Sequence, residues 1–198
     1  GLRYANVPVV SAPFGLTLGG GAEMAMGADA IQAYAETYMG LVEVGVGLIP
    51  AGCGCLRMVE RWTDGLANVD GVSPLKFVGA GSLNIAMAKT SASAEEAKRL
   101  RLIQASDGIS LNRDHLLYQA KQRALGMARA GYRVPRPRSI RAAGRDAAKT
   151  IGVQIWGMVE GGFASEHDAL IANKVAHILC GGNVAGGTTL TENDYLAL

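Results

Sequence analysis

The run Leu18-Gly19-Gly20-Gly21-Ala22-Glu23 constrains this chain more than any other. Glycine is conformationally permissive and costly to order inside a regular element, so three in a row mark a tight change of direction. A triple glycine also bares backbone N–H groups where a chain turns into a helix, and such groups are well placed to hold a developing oxyanion. A second glutamate, Glu43, has a comparable frame in Val42-Glu43-Val44-Gly45-Val46-Gly47-Leu48-Ile49-Pro50-Ala51-Gly52. Two carboxylates from neighbouring glycine-rich segments, set beside N–H donors, are equipment for adding or removing water.

Composition narrows the class. Apolar residues make up 49% of the 198, enough for a proper core, and 27 are glycine, well above the ~7% typical of soluble proteins. The glycines cluster at element ends, which reads as turns and close backbone approaches. A net charge of +2 gives no argument for nucleic acid. No apolar run is long enough to span a bilayer, so no membrane partner is expected. Three cysteines, Cys53, Cys55 and Cys180, form an odd, sparse set that points to a reducing, cytoplasmic compartment. Cys53-Gly54-Cys55 has no second Cys/His cluster at ligand spacing. The thiols are therefore read as buried, and no metal site is expected.

The order of elements reads as two short strands followed by helices. Asn6 to Ala12 and Ala30 to Ala35 are the strands, with the run from Phe14 to Gly21 turning into a short helix that carries Glu23. Leu41 to Gly54 is a glycine-rich loop, and a helix follows to Trp62. Ser73-Pro74 starts a helix running to about Ala88. Ser93 with Glu96, and Ser165 with Asp168, have capping-box spacing. Asn112 can cap a long helix with Leu117, Ala120, Ala124 and Ala128 on one face and Gly131 as its stop. Prolines 135 and 137 forbid a helix in the Arg-rich linker. Ile151, Ile155, Met158 and Val159 then make an apolar stripe, ended by Gly161-Gly162, and a last helix ends at Gly181-Gly182. Trp62, Trp156 and the methionines are expected to pack cores or interfaces. Two strands cannot form a stable sheet alone, so further strands are expected before Gly1.

These residues resemble the crotonase (enoyl-CoA hydratase/isomerase) superfamily. The similarity covers the proline-valine strand, Gly-x-x-Leu-Gly-Gly-Gly-x-Glu, Asp29 and Glu43-x-Gly-x-Gly-Leu-Ile-Pro, and later Ala94-Glu95-Glu96-Ala97-Lys98-Arg99-Leu100. The Arg/Pro linker and last helices look like a narrower group, bacterial β-oxidation proteins with a 3-hydroxyacyl-CoA dehydrogenase first and a hydratase domain last. The implied fold class is α/β: a partial β-β-α spiral followed by C-terminal helices. The implied domains are the later part of a crotonase-like domain over 1–131, an Arg/Pro linker over 132–144 and a helical extension over 145–198.

The resemblance implies hydration of trans-2-enoyl-CoA to 3-hydroxyacyl-CoA, with Glu23 and Glu43 catalytic and the Gly20 N–H in the oxyanion hole. Leu18, Gly19, Pro50, Gly52 and Cys53 are the implied substrate-binding positions. Relatives usually carry glycine where Cys53 stands, so its side chain would narrow the pocket or need a backbone adjustment. Gly19 and Gly21 are read as packing glycines. No Gly-Lys-Ser/Thr follows the glycines, which discounts a phosphate loop, and no strand–GxGxxG–helix occurs, so NAD belongs to a dehydrogenase part outside this chain. Expected partners are acyl-CoA, the protein's own N-terminal region and further copies of itself. Two alternatives stay open: a catalytically silent docking or oligomerisation module, and an enoyl-CoA isomerase.

Overall fold

The computed structural model describes residues 2–65 and 71–198, and the chain divides into two compact units. The first is built from residues 1–41 and 90–136, the second from 42–89 and 137–198.

The first unit holds strands β1 (Val10–Ser11), β2 (Gly15–Leu18), β3 (Ala30–Tyr34), β4 (Thr37–Gly40) and β5 (Gly108–Ser110). Its α-helices are α1 (Gly20–Met26), α4 (Ala94–Arg99) and α5 (Leu116–Arg129). β1, β3 and β5 form one parallel sheet in that order, while β2 and β4 pair in parallel as a second. Each circuit of the chain lays down one strand of each sheet, because parallel neighbours need a crossover between them. That is the β-β-α spiral. Two aspartates pin successive circuits. Asp29, just before β3, accepts a bond from the Val9 N–H at 2.8 Å, and Asp107, just before β5, accepts from the Ile31 N–H at 2.8 Å. The Tyr132 hydroxyl donates to Asp29 at 3.0 Å, tying the end of α5 to the same corner.

The second unit is largely helical. It contains α2 (Gly54–Trp62), α3 (Leu75–Ala86), α6 (Arg145–Glu160), α7 (Glu166–Leu179), α8 (Glu192–Leu196) and the antiparallel pair β6 (Ser139–Arg141) and β7 (Thr189–Thr191). Leu56, Met58, Val59, Ile85, Ile151, Val175 and Leu179 are fully buried between these helices. The Trp62 ring lies so close to Gly81 that a β-carbon there would sit 3.0 Å from it, so glycine permits the α2–α3 contact. Arg57 and Glu60 of α2 pair at 2.5 Å, and Arg57 also reaches Glu192 of α8 at 3.4 Å. Glu192 in turn accepts the Arg138 N–H at 3.0 Å. One buried ion cluster thereby joins two helices and the approach to β6.

Several sequence expectations shift. The strand expected over Asn6–Ala12 contracts to Val10–Ser11, and Gly15–Leu18 is a strand rather than part of a turn. β4 has no counterpart among the strands read from residue patterns. Strands of three or four residues are too short to display a period of two. On α5 the buried residues are Leu116 and Ala120, four apart on one helical face, while Leu117 is 75% exposed. Trp156 is 63% exposed and packs into no core of this chain. Ser93 accepts the Glu96 N–H, but the Glu96 carboxylate returns to the Ala92 N–H, one residue before the expected partner. The Ser165–Asp168 box is complete. Glycines 131, 162 and 181 end α5, α6 and α7 at φ values of 79°, 72° and 88°, each followed by the paired backbone bonds of a Schellman motif.

Candidate functional site

The sequence-expected site residues fall into two sets. Leu18, Gly19, Gly20 and Glu23 form the corner where β2 runs into α1, in the first unit. Glu43, Pro50, Gly52 and Cys53 lie on the loop that leads into α2, in the second unit.

Leu18 closes β2, and the Gly19 N–H is held by the Gly40 carbonyl of β4 at 2.9 Å. Gly19 has φ 55° and ψ −127°, a combination open in practice to glycine alone. That twist starts α1. The first intrahelical bond runs from Glu23 N–H to Gly19 C=O at 3.0 Å, so the Gly20 N–H precedes the helical ladder. Gly20 is exposed, and a β-carbon on Gly20 or Gly21 would meet nothing within 4 Å. Gly21 is therefore no packing glycine, contrary to the sequence reading. Glu23 lies one turn into α1 and is 8% exposed, between Ala22, Ala25 and Met26, which are themselves buried. The corner offers a helix-start N–H to a negative oxygen, with a shielded carboxylate one turn away.

Glu43 opens a 3-10 turn, Glu43–Val46, which Gly47 ends at φ 82°. The Leu48 N–H returns to the Glu43 carbonyl at 3.0 Å and closes the loop. Both Glu43 carboxylate oxygens are shielded from solvent. Gly47 packs beside the His167 ring of α7, which seats the turn on the helical unit. Pro50 is buried, Gly52 exposed and Cys53 half-buried. Cys53 immediately precedes α2 with φ 81°, a left-handed conformation that costs a residue with a β-carbon more than it costs glycine. Pro50 and Cys53 share a small cavity with Ile178 and Leu196, two residues the sequence did not single out because apolar side chains near a helix end look like ordinary core. Among the described residues, no group of His, Cys, Asp and Glu is arranged to hold a metal ion, and no helix is long and apolar enough to cross a membrane.

No protein-family model matches the chain. A Bacillus subtilis (strain 168) protein named "Probable 3-hydroxyacyl-CoA dehydrogenase" is 43% identical over 195 residues, which is 98% of this chain and 24% of the relative. An enoyl-CoA hydratase structure from Bacillus anthracis superposes with a TM-score of 0.51 at 21% identity, covering 90% of this chain and 55% of that one. A Thermobifida fusca YX structure in complex with acetoacetyl-CoA gives 0.51 at 18% identity, covering 89% and 56%. The chain thus spans about a quarter of the curated relative and about half of the solved structures. It is a crotonase-fold polypeptide, related over almost its whole length to one stretch of a larger 3-hydroxyacyl-CoA dehydrogenase-type protein.

Proposed function

We propose that this chain contributes the acid/base half of an enoyl-CoA hydratase site to a fatty-acid β-oxidation protein. The observation that carries the proposal is the β2–α1 corner, where an exposed Gly20 N–H at a helix start stands one turn from a buried glutamate. A thioester oxygen gains negative charge when water attacks the β-carbon of a trans-2-enoyl-CoA. The Gly20 N–H is suited to that charge, and one such donor typically contributes about 2.7–4 kcal/mol to lowering the barrier. One glutamate of the pair Glu23 and Glu43 takes a proton from the attacking water. The other delivers a proton to the α-carbon, so water adds across the double bond and 3-hydroxyacyl-CoA results. The resemblance implies Leu18, Gly19, Pro50, Gly52 and Cys53 as its substrate-binding positions.

The product is what a 3-hydroxyacyl-CoA dehydrogenase oxidises, and the relative named for that activity supports a parent protein that carries out both steps, with NAD bound outside this chain. Acyl-CoA, the protein's own N-terminal region and further copies of itself are the partners proposed, and the cytoplasm its compartment.

The test uses the full-length protein. Glu23→Gln and Glu43→Gln are each expected to lower hydration of crotonyl-CoA by about 100-fold or more while leaving assembly unchanged. Hydration that survives both substitutions would sink the reading and favour a docking module. A double-bond isomerase would instead lose activity through one of the two glutamates alone.

A further inference from the structure

The turn that carries Glu43 is shaped by its own backbone. The Gly45 N–H donates to the Val42 carbonyl, the Gly47 N–H to the Val44 carbonyl and the Leu48 N–H to the Glu43 carbonyl, each at 3.0 Å. Its seat on the second unit is set by what borders it. Val44 is buried and roots the turn in the core. Two further neighbours stand at the glycines. A β-carbon on Gly45 would lie 3.7 Å from the Ala88 methyl, and one on Gly47 would lie 3.7 Å from Nε2 of His167. Ala88 and His167 therefore bound the turn at these two points.

Both neighbours are themselves held in place. Ala88 follows α3 with φ 47°, the left-handed position where a helix usually ends in glycine. Its N–H donates to Ile85 and the Lys89 N–H to Asn84, both at 2.9 Å, so the helix end is closed. The methyl that glycine would lack is the group that faces Gly45. His167 lies inside the capping box of α7, between Ser165 and Asp168. The Asp168 N–H donates to the Ser165 hydroxyl at 3.1 Å, and the Ser165 N–H to the Asp168 carboxylate at 3.0 Å. That box fixes the backbone under the imidazole. The His167 side chain is exposed and adds little to the core, yet it stands against Gly47.

A proton-transferring group tolerates little displacement, and a misplacement on the order of 1 Å can cost about 100-fold in rate. The Leu48 N–H closes the turn onto Glu43, so movement at Gly47 carries the Glu43 backbone with it. We propose that His167 is a positioning residue for Glu43: its imidazole, together with the Ala88 methyl, holds the Glu43–Gly47 turn where the carboxylate must stand during proton transfer. This rests on the hydratase reading of Glu43. The imidazole acts through the backbone of the turn and exchanges no proton with the substrate.

Two measurements on the full-length protein test it. The first is steady-state hydration of crotonyl-CoA. His167→Ala is expected to lower kcat about 10-fold, with KM within about twofold and the melting temperature unchanged. His167→Gln restores a side chain of similar reach and is expected to recover most of that loss. In a Glu43→Gln background, His167→Ala is expected to cost less than about twofold more, because the group it positions is already gone. The second is hydrogen–deuterium exchange read by mass spectrometry. His167→Ala is expected to speed exchange of the Gly45, Gly47 and Leu48 amides at least about fivefold and to leave the rest of α7 unchanged, while His167→Gln leaves the turn protected.

Unaltered kcat and unaltered exchange in His167→Ala overturn the proposal while hydration itself stands. A fall in kcat that comes with a lower melting temperature and is not recovered by His167→Gln also overturns it, since it reports general damage to α7. Faster exchange of the turn in a protein that hydrates no enoyl-CoA separates the two readings: the seat of the turn is confirmed and the hydratase reading fails.

Discussion

At the residue scale, the three glycines of the β2–α1 corner do not share one duty. Gly19 holds a backbone conformation that only glycine adopts with ease, while Gly20 and Gly21 face open space. Gly19→Ala is therefore expected to destabilise the fold by about 1–3 kcal/mol and to lower hydration with it. Gly21→Ala should be neutral or stabilising by up to about 1 kcal/mol, since alanine is the better helix former at a position without steric conflict. Denaturant unfolding of the two variants checks this, and equal destabilisation by both would contradict the assignment. The sequence points to the corner through the run of glycines. Their separate roles depend on backbone angles and neighbours that a string of identical residues does not reveal.

At the element scale, helix starts are well marked in the sequence, and two of them carry a pH dependence. In α7 and α8 the N-cap residues Ser165 and Thr191 are bonded reciprocally to Asp168 and Asp194. Hydrogen bonds from Ser165, chiefly from its hydroxyl, hold the Asp168 carboxyl below its ordinary value of 3.8, and the Thr191 N–H followed by its hydroxyl does the same for Asp194. A carboxylate whose folded pKa is depressed contributes stability that is present above its unfolded pKa and lost as pH falls through the folded one. Melting temperature should therefore decline below about pH 3.8, and Asp168→Asn with Asp194→Asn should flatten that decline. A double variant whose acid profile matches the parent's would refute the assignment. The aspartates that pin the spiral, Asp29 and Asp107, carry no such sequence signature. Asp107 sits in a Ser-Asp-Gly stretch that reads as an ordinary turn, and its partner Ile31 is 76 residues away.

At the scale of the whole molecule, the chain spans about half of each solved neighbour, and the Gly20 N–H is the oxyanion donor its resemblance implies. The chain expressed alone is therefore expected to hydrate crotonyl-CoA no faster than buffer, while the full-length protein turns it over. Loss of absorbance of the conjugated thioester measures both, and turnover by the isolated chain would show that the residues present suffice.

Much was legible from the sequence by itself. The glutamate frames, the capping residues, the terminating glycines and the proline-interrupted stretch after α5 are local features. Each depends on conformational preferences that act within a few residues. The rest was decided by tertiary structure. Four-residue strands such as β2 and β4 exist because they pair in parallel across intervening elements, which no local period records. The grouping of residues 42–89 with 137–198 comes from burial between helices distant in sequence. The cavity that Pro50 and Cys53 share with Ile178 and Leu196 is likewise a tertiary feature, because a wall made by separate segments is set by packing and not by neighbours along the chain.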